Sequence, residues 1–124
     1  MDLVVGEVPR RPVGLVELGQ VLIAQGRTVA PLPLVPTLAA ALTIDAYGSP
    51  EQVTALLPGV VDGTIVLSTA LQEYLNDNAL APTTLASQHD GHWAVTGTKV
   101  MVEFAEIAAQ ILIAAQTPDG VAVF

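Results

Sequence analysis

The sequence contains no cysteine among its 124 residues. This absence excludes disulfide bonds, thiolate metal sites and cysteine nucleophiles. It is consistent with a cytoplasmic protein, because disulfides are rare where thiols are kept reduced. The start also lacks a basic region leading into an apolar run, so the sequence predicts no signal peptide and a cytoplasmic location.

Charged residues are scarce. They make up 13% of the chain, whereas hydrophobic residues make up 52%, and soluble domains typically have roughly 25% charged residues. So few charged side chains cover little surface. We therefore expect the chain to be part of a larger folded unit, or its apolar surface to be covered by other polypeptide.

Basic residues are the scarcest charged type, with four Lys and Arg against twelve Asp and Glu and a formal net charge of −8. A phosphate-binding surface needs clustered basic side chains, but only Arg10 and Arg11 are adjacent here. We therefore expect no nucleic-acid partner. We also expect no membrane anchor, because prolines interrupt the longest uncharged stretch, at 28–44, and a spanning helix needs about 20 apolar residues.

Helical patterns occupy the first half of the chain. The first predicted helix rests on leucines at helical spacing and a terminating glycine, which are Leu15, Leu18, Leu22 and Gly26. The segment before it, to Pro12, is predicted to be a loop. Prolines exclude regular helix from 27 to 36, so a second helix is predicted at 37–47, ending at Gly48.

A third helix is predicted from a local capping signal. Ser49 is suited to the N-cap, Pro50 to the first helical position, and Gln52 completes a capping box. We expect this helix to end at Leu57, because Pro58 follows it.

Strand patterns begin after Gly63. Apolar runs bounded by turn residues predict strands at 64–70, 83–87, 93–95, 110–115 and 121–124. The run at 110–115 also suits an isolated helix. Hairpin turns are predicted at Asp90-Gly91 and at 117–120. Helices followed by antiparallel strands predict an α+β fold, with a partial helical domain at 1–63 and an incomplete β-barrel-like domain at 64–124.

The residues taken alone identify no catalytic group. His89 and His92 flank a hairpin turn and are able in principle to bind a metal, but two surface histidines are the ordinary interpretation. We therefore predict no metal site. No serine lies in a nucleophile elbow, and the glycine spacing matches no phosphate-binding loop.

Three stretches, read in order, resemble the acyl-CoA dehydrogenase family and cover nearly the whole chain from Gly14 onward. The first stretch is GLVELGQVL at 14–22, with QGR at 25–27 and PLPL at 31–34. The second is GSPEQ at 48–52, with LLPG at 56–59 and DGT at 62–64. The third is DGHWAVTGTK at 90–99, and the strand and turn at 105–120 follow it. The order and spacing together make the resemblance fairly specific.

The resemblance implies an oxidoreductase of lipid metabolism that holds FAD and α,β-desaturates an acyl-CoA, either a fatty or a sterol-side-chain thioester. In such enzymes a carboxylate removes the α-proton, and the flavin accepts the β-hydride. That carboxylate is expected in a C-terminal domain which this sequence lacks. We therefore predict no catalytic residue here, and we expect the 124-residue chain alone to be inactive.

The resemblance also implies a cofactor-binding set, which is Leu71, Gln72, Met101, Val102 and Glu103. The family's threonine is replaced by Gln72, its tryptophan by Met101, and its hydroxyl residue by Glu103, whereas Glu73 is kept. Two interpretations follow. Either the amide donates to a flavin carbonyl and the methionine packs on the ring, or the chain is a non-catalytic subunit that has lost its flavin site. The partners implied are acyl-CoA and other subunits, in a homo- or hetero-oligomer.

Overall fold

The computed structural model describes residues 15–124, so the loop predicted up to Pro12 lies outside the described residues. The chain divides into two compact units, Met1–Leu32 and Pro33–Phe124. Each unit is described by itself below. None of the helices within 15–124 is both long and apolar enough to cross a membrane.

The described part of the first unit contains helix α1, Leu15–Thr28. The predicted helix is confirmed, but its predicted end at Gly26 is two residues early. The left-handed residue after the helix is Val29, with φ 48°. The amide side chain of Gln25 donates to the carbonyl oxygens of Ala30 and Leu32, at 3.1 and 2.7 Å. These bonds hold the exit from the helix, so a terminating glycine is not required.

Helix α2, Leu34–Tyr47, begins three residues before the predicted start. The expectation that prolines exclude regular helix from 27 to 36 is therefore wrong for residues 34–36, and also for residues 27–28, which belong to α1. Pro33 is the N-cap and Pro36 lies in the first turn. A proline is tolerated there because the first amides of a helix have no intrahelical acceptor. The first i to i−4 hydrogen bond of the helix runs from the amide of Thr37 to the carbonyl of Pro33, at 3.2 Å.

Helix α3, Pro50–Val61, begins with the predicted capping box. The amide of Gln52 donates to the Ser49 hydroxyl at 3.3 Å, and the Ser49 amide donates to the Gln52 side chain at 2.8 Å. The predicted end at Leu57 is wrong, because the helix continues through Pro58. Proline removes only its own amide donor, and its carbonyl still accepts from Asp62 at 2.9 Å.

Five strands follow, which are β1 Leu67–Ala70, β2 Leu85–His89, β3 His92–Thr96, β4 Gln110–Thr117 and β5 Gly120–Val123. They form one open sheet in the order β1-β4-β2-β3, with β5 also paired to β4. The α+β class is confirmed. The sheet is mixed rather than antiparallel throughout, because β4 runs parallel to β1 and to β2. Long connections allow such parallel returns, whereas the two short turns give antiparallel hairpins.

Both hairpin turns are confirmed. Asp90 and Gly91 join β2 to β3 with positive φ values of 49° and 80°, which suits the right-handed twist of the strands. His89 and His92 pair directly across this hairpin and are exposed. Within residues 15–124, no group of three His, Cys, Asp or Glu side chains is placed to hold a metal.

The core of the second unit joins helices to the sheet. Its buried residues are Ala40 and Ile44 of α2 and Leu67 of β1, and half-buried apolar side chains of α3 and β4 pack against them. The Thr37 hydroxyl donates to the carbonyl of Leu67 at 2.9 Å and accepts from its amide at 3.3 Å. This bond pair satisfies backbone groups of β1 that have no strand partner. The domain boundary predicted at 63–64 stays a prediction.

Candidate functional site

A cavity of about 520 Å³ lies where β1 ends. We call it the β1 cavity, and the residues that line it are Pro36, Thr69, Leu71, Gln72, Met101, Val102 and Glu103. All five residues predicted from the sequence to bind a cofactor are therefore brought together, although about 30 residues separate the two groups along the chain. They lie on two irregular segments, one that follows β1 and one between β3 and β4.

Both apolar and polar groups line the β1 cavity. Leu71 and Met101 are 44% and 81% exposed, so their side chains are available for packing by a ligand. Gln72 carries an amide that donates and accepts hydrogen bonds, and Glu103 carries an acceptor carboxylate. This combination suits a planar heterocyclic ring, which is apolar on its faces and polar at its edge.

Immediately beyond the cavity, the carboxylate of Glu73 is buried and accepts hydrogen bonds on both oxygens. Oε2 accepts from the side-chain amide of Asn76 at 2.9 Å, and from the backbone amide and the hydroxyl of Thr83 at 2.6 and 2.7 Å. Oε1 accepts from the Thr84 amide and hydroxyl at 2.8 and 2.6 Å and from Lys99 Nζ at 2.9 Å. We call these five residues the Glu73 cluster.

The hydrogen bonds of the cluster keep Glu73 ionised. The Thr84 hydroxyl, then the Thr83 amide, and also Lys99 hold the pKa of this carboxyl far below its ordinary value, against the opposing effect of desolvation. The side chains of Glu73 and Lys99 are only 3% and 8% exposed. The charge of Lys99 is therefore neutralised within the cluster and is not directed into the β1 cavity.

Met101, Val102 and Glu103 line the cavity from a second segment, residues 99–103, which we call the Lys99 segment. It belongs to no strand. The amide of Val100 donates to the carbonyl of Gln72 at 3.0 Å, and the Ser68 hydroxyl donates to the carbonyl of Glu103 at 2.6 Å. Met101 has a left-handed φ of 53°, a conformation that is unfavourable for non-glycine residues and persists only where surrounding contacts hold it.

Sequence reasoning missed most of the cluster. Thr83 and Thr84 lie in the strand predicted at 83–87, and no role was predicted for Asn76. One signal was available, since Lys99 is the only basic residue after Arg27. A lone lysine in an apolar stretch is buried only when it is paired.

Gly97 packs against the cluster, and replacing it with alanine is expected to cost about 1–3 kcal/mol of unfolding free energy, the usual effect of overpacking. A Cβ on Gly97 would lie 2.8 Å from the Cα of Thr84, so Gly97 or Thr84, which bonds to Glu73, must shift. Urea unfolding measures the loss. Gly26→Ala is the control, because a Cβ there meets nothing within 4 Å. Equal stability of Gly97→Ala and the wild type would contradict this packing.

Comparison with known proteins gives related sequences and structures, although no protein-family model matches the chain. The acyl-CoA dehydrogenase FadE27 of Mycobacterium tuberculosis is 30% identical over 113 residues, which are 90% of this chain and 29% of that protein. A variant of the Tcur3481–Tcur3483 steroid ACAD is 45% identical with a TM-score of 0.84, over 90% of this chain and 30% of the other.

Two further solved structures are similar. The ChsE4–ChsE5 complex of Mycobacterium tuberculosis has a TM-score of 0.77 and 28% identity, over 90% of this chain and 30% of the other. A glutaryl-CoA dehydrogenase of Mycobacterium smegmatis in complex with FADH2 has a TM-score of 0.65 and 29% identity, over 68% of this chain and 22% of the other. This chain therefore spans less than a third of the length of these relatives.

Proposed function

Because this chain is related in sequence and fold to the acyl-CoA dehydrogenases, we propose that it forms part of a flavin-dependent enzyme that α,β-desaturates an acyl-CoA thioester. The observation that carries the proposal is the β1 cavity, which collects all five residues expected to contact FAD. A related glutaryl-CoA dehydrogenase is in complex with FADH2, which supports this choice of cofactor.

The lining residues fit the ring of a flavin. Gln72 would donate to a ring carbonyl, and Leu71 and Met101 would pack on the ring and keep water from it. When bound, the flavin supplies a hydride acceptor. Among the described residues that line the cavity none is basic, so the cavity suits the ring and not the diphosphate of FAD, which needs positive charge or amide donors. Those contacts are expected outside the β1 cavity.

The test is flavin content of the purified protein together with any subunit that co-purifies with it. We expect absorbance near 450 nm and oxidation of acyl-CoA. Gln72→Ala is expected to raise the dissociation constant of FAD about fivefold to tenfold, because one hydrogen bond to the ring is worth about 1 kcal/mol. Gln88→Ala, at an exposed site in β2, is the control. The absence of both flavin and activity would contradict the proposal.

A second candidate is a non-catalytic subunit of a heteromeric acyl-CoA dehydrogenase. It is favoured by Met101 and Glu103, since the carboxylate places negative charge where a reduced flavin gains electron density. If the wild type holds no flavin, the double variant Gln72→Thr with Met101→Trp separates two origins. A gain in flavin retention indicates a decayed cofactor site, and no gain supports a structural subunit.

The substrate and partner chain are part of the proposal. One solved relative is named a Tcur3481–Tcur3483 steroid ACAD, and another is the ChsE4–ChsE5 complex. We therefore favour a sterol-side-chain thioester over a fatty acyl thioester, and a hetero-oligomer over a homo-oligomer. Assays with both thioester classes, and mass measurement of the assembly, test these choices. We also propose a cytoplasmic location and a domain boundary at 63–64.

A further inference from the structure

The Lys99 segment shapes the β1 cavity without the support of a regular strand. It supplies three of the cavity's lining residues, Met101, Val102 and Glu103. Two hydrogen bonds hold it beside the chain around β1, one from the Val100 amide to the Gln72 carbonyl and one from the Ser68 hydroxyl to the Glu103 carbonyl. The third attachment is the ion pair from Lys99 to Glu73 at 2.9 Å.

We propose that Glu73 is a positioning residue for the cofactor cavity, acting through Lys99 to hold residues 99–103 against the end of β1. The inference rests on the proposed function, because it identifies which residue sets the geometry of that site. Glu73 directly follows Gln72 in the chain. The residue that would donate to the ring, Gln72, is therefore next to the residue that anchors the Lys99 segment, Glu73.

The ion pair is separable from the rest of the Glu73 cluster. Five of the six hydrogen bonds to Glu73 come from Asn76, Thr83 and Thr84, which precede β2. Only the bond from Lys99 reaches the Lys99 segment. Removing the ammonium therefore removes one of the three attachments of that segment and leaves the other five bonds to Glu73 in place.

The backbone of the segment indicates why an anchor is needed. Met101, within it, and Phe104, just after it, both have a φ of 53°, and neither is a glycine. Residues in this region relax to more populated conformations when surrounding contacts are lost. Relaxation at Met101 would redirect its side chain and move Glu103 relative to Gln72.

The experiment uses the full protein with its co-purifying subunit and the variant Lys99→Met, which keeps the length of the side chain and removes its charge. The rate of amide hydrogen exchange at residues 100–104 and the dissociation constant of added FAD are measured. We expect both to rise at least about tenfold, because a hydrogen bond to a charged group contributes that much to an equilibrium. Exchange in β4 should stay unchanged, and Lys99→Arg should restore both values.

Each other outcome decides the matter. Unchanged exchange at 100–104 overturns the inference, and so does acceleration throughout the chain, which indicates a role in general stability only. Faster local exchange with unaltered FAD affinity also overturns it. If the wild type binds no FAD, the proposed function fails, while local acceleration still supports positioning by Glu73. Lys99→Gln, which removes the charge and shortens the side chain but keeps a polar end group, replaces Lys99→Met if that variant does not fold.

Discussion

Replacing Glu73 by alanine is expected to abolish the cooperative unfolding transition at pH 7, or to lower its midpoint more than any other exchange in the site. The change leaves donors of Thr83, Thr84 and Lys99 without their acceptor, and the side chains of Thr84 and Lys99 are buried. Unpaired buried donors, and an uncompensated buried charge above all, are among the largest destabilising effects known. Circular dichroism during heating measures the transition.

Glu106→Ala is the matched control, because this glutamate is exposed in the same connection between β3 and β4. It is expected to melt with the wild type. Similar midpoints for Glu73→Ala and Glu106→Ala would show that the cluster contributes little, and would remove the physical basis for the positioning role.

The same carboxylate sets a dependence on pH. The folded-state pKa of Glu73 is depressed far below its ordinary value of 4.5 by the Thr84 hydroxyl, the Thr83 amide and Lys99. Its contribution to stability is therefore complete above about pH 4.5 and is lost progressively as the pH falls towards the folded-state pKa. We expect the melting temperature of the wild type to decrease as the pH is lowered below 4.5. The melting temperature of Glu73→Gln should decrease less steeply over the same pH range.

For α3, a local signal predicted where the helix begins but not where it ends. The start of α3 was predictable because the capping box is contained in four residues, from Ser49 to Gln52. Its end was not, because the continuation past Pro58 depends on contacts from the following chain. The carbonyl of Gly59 accepts from the amides of Thr64 and Ile65, at 2.8 and 2.9 Å.

Pairing between distant strands also escaped prediction. The hairpins could be predicted because each depends on a turn of four residues or fewer. The parallel pairing of β1 with β4, in contrast, joins residues 43 positions apart, such as Leu67 and Gln110. Nothing in the alternation of one strand specifies a partner so distant. The mixed sheet is therefore a property of the packed unit.

The candidate site divides in the same way. Family resemblance, confirmed by the related sequences and structures, supplied five of the seven residues that line the β1 cavity. The Glu73 cluster was not predicted, since its members lie 3, 10, 11 and 26 positions from Glu73. Those intervals follow no helical or strand period, and only the folded chain brings the donors to one carboxylate.

Charge separates the two halves of the site. The only lysine of the sequence is occupied by Glu73, and the cavity side carries the carboxylate of Glu103. A ligand placed in the cavity meets amide, thioether and carboxylate groups but no cation from the residues lining it. The site therefore favours a neutral ring over an anionic one, and the anionic parts of FAD and of CoA require contacts beyond those residues.

Leu67→Ala is the other substitution with a large expected effect, a loss of about 2–5 kcal/mol of unfolding free energy, as for other leucines truncated in well-packed cores. Leu67 is fully buried between α2 and the sheet, and its backbone is bonded to Thr37. Because helices and strands share this core, the loss is expected to appear equally in the helical circular dichroism and in the fluorescence of Trp93, the only tryptophan.

Leu85→Ala controls for the loss of a strand leucine, because Leu85 in β2 is 59% exposed and surface exchanges usually stay within about 0.5 kcal/mol. Trp93 reports on the sheet, since its ring lies 5.1 Å from that of Phe124. If Leu67→Ala shifts the helical signal and leaves the fluorescence transition in place, the shared core is contradicted. That result would instead support two independently folding parts divided at 63–64, whereas coincident shifts mean that the β1 cavity is built on one cooperative unit.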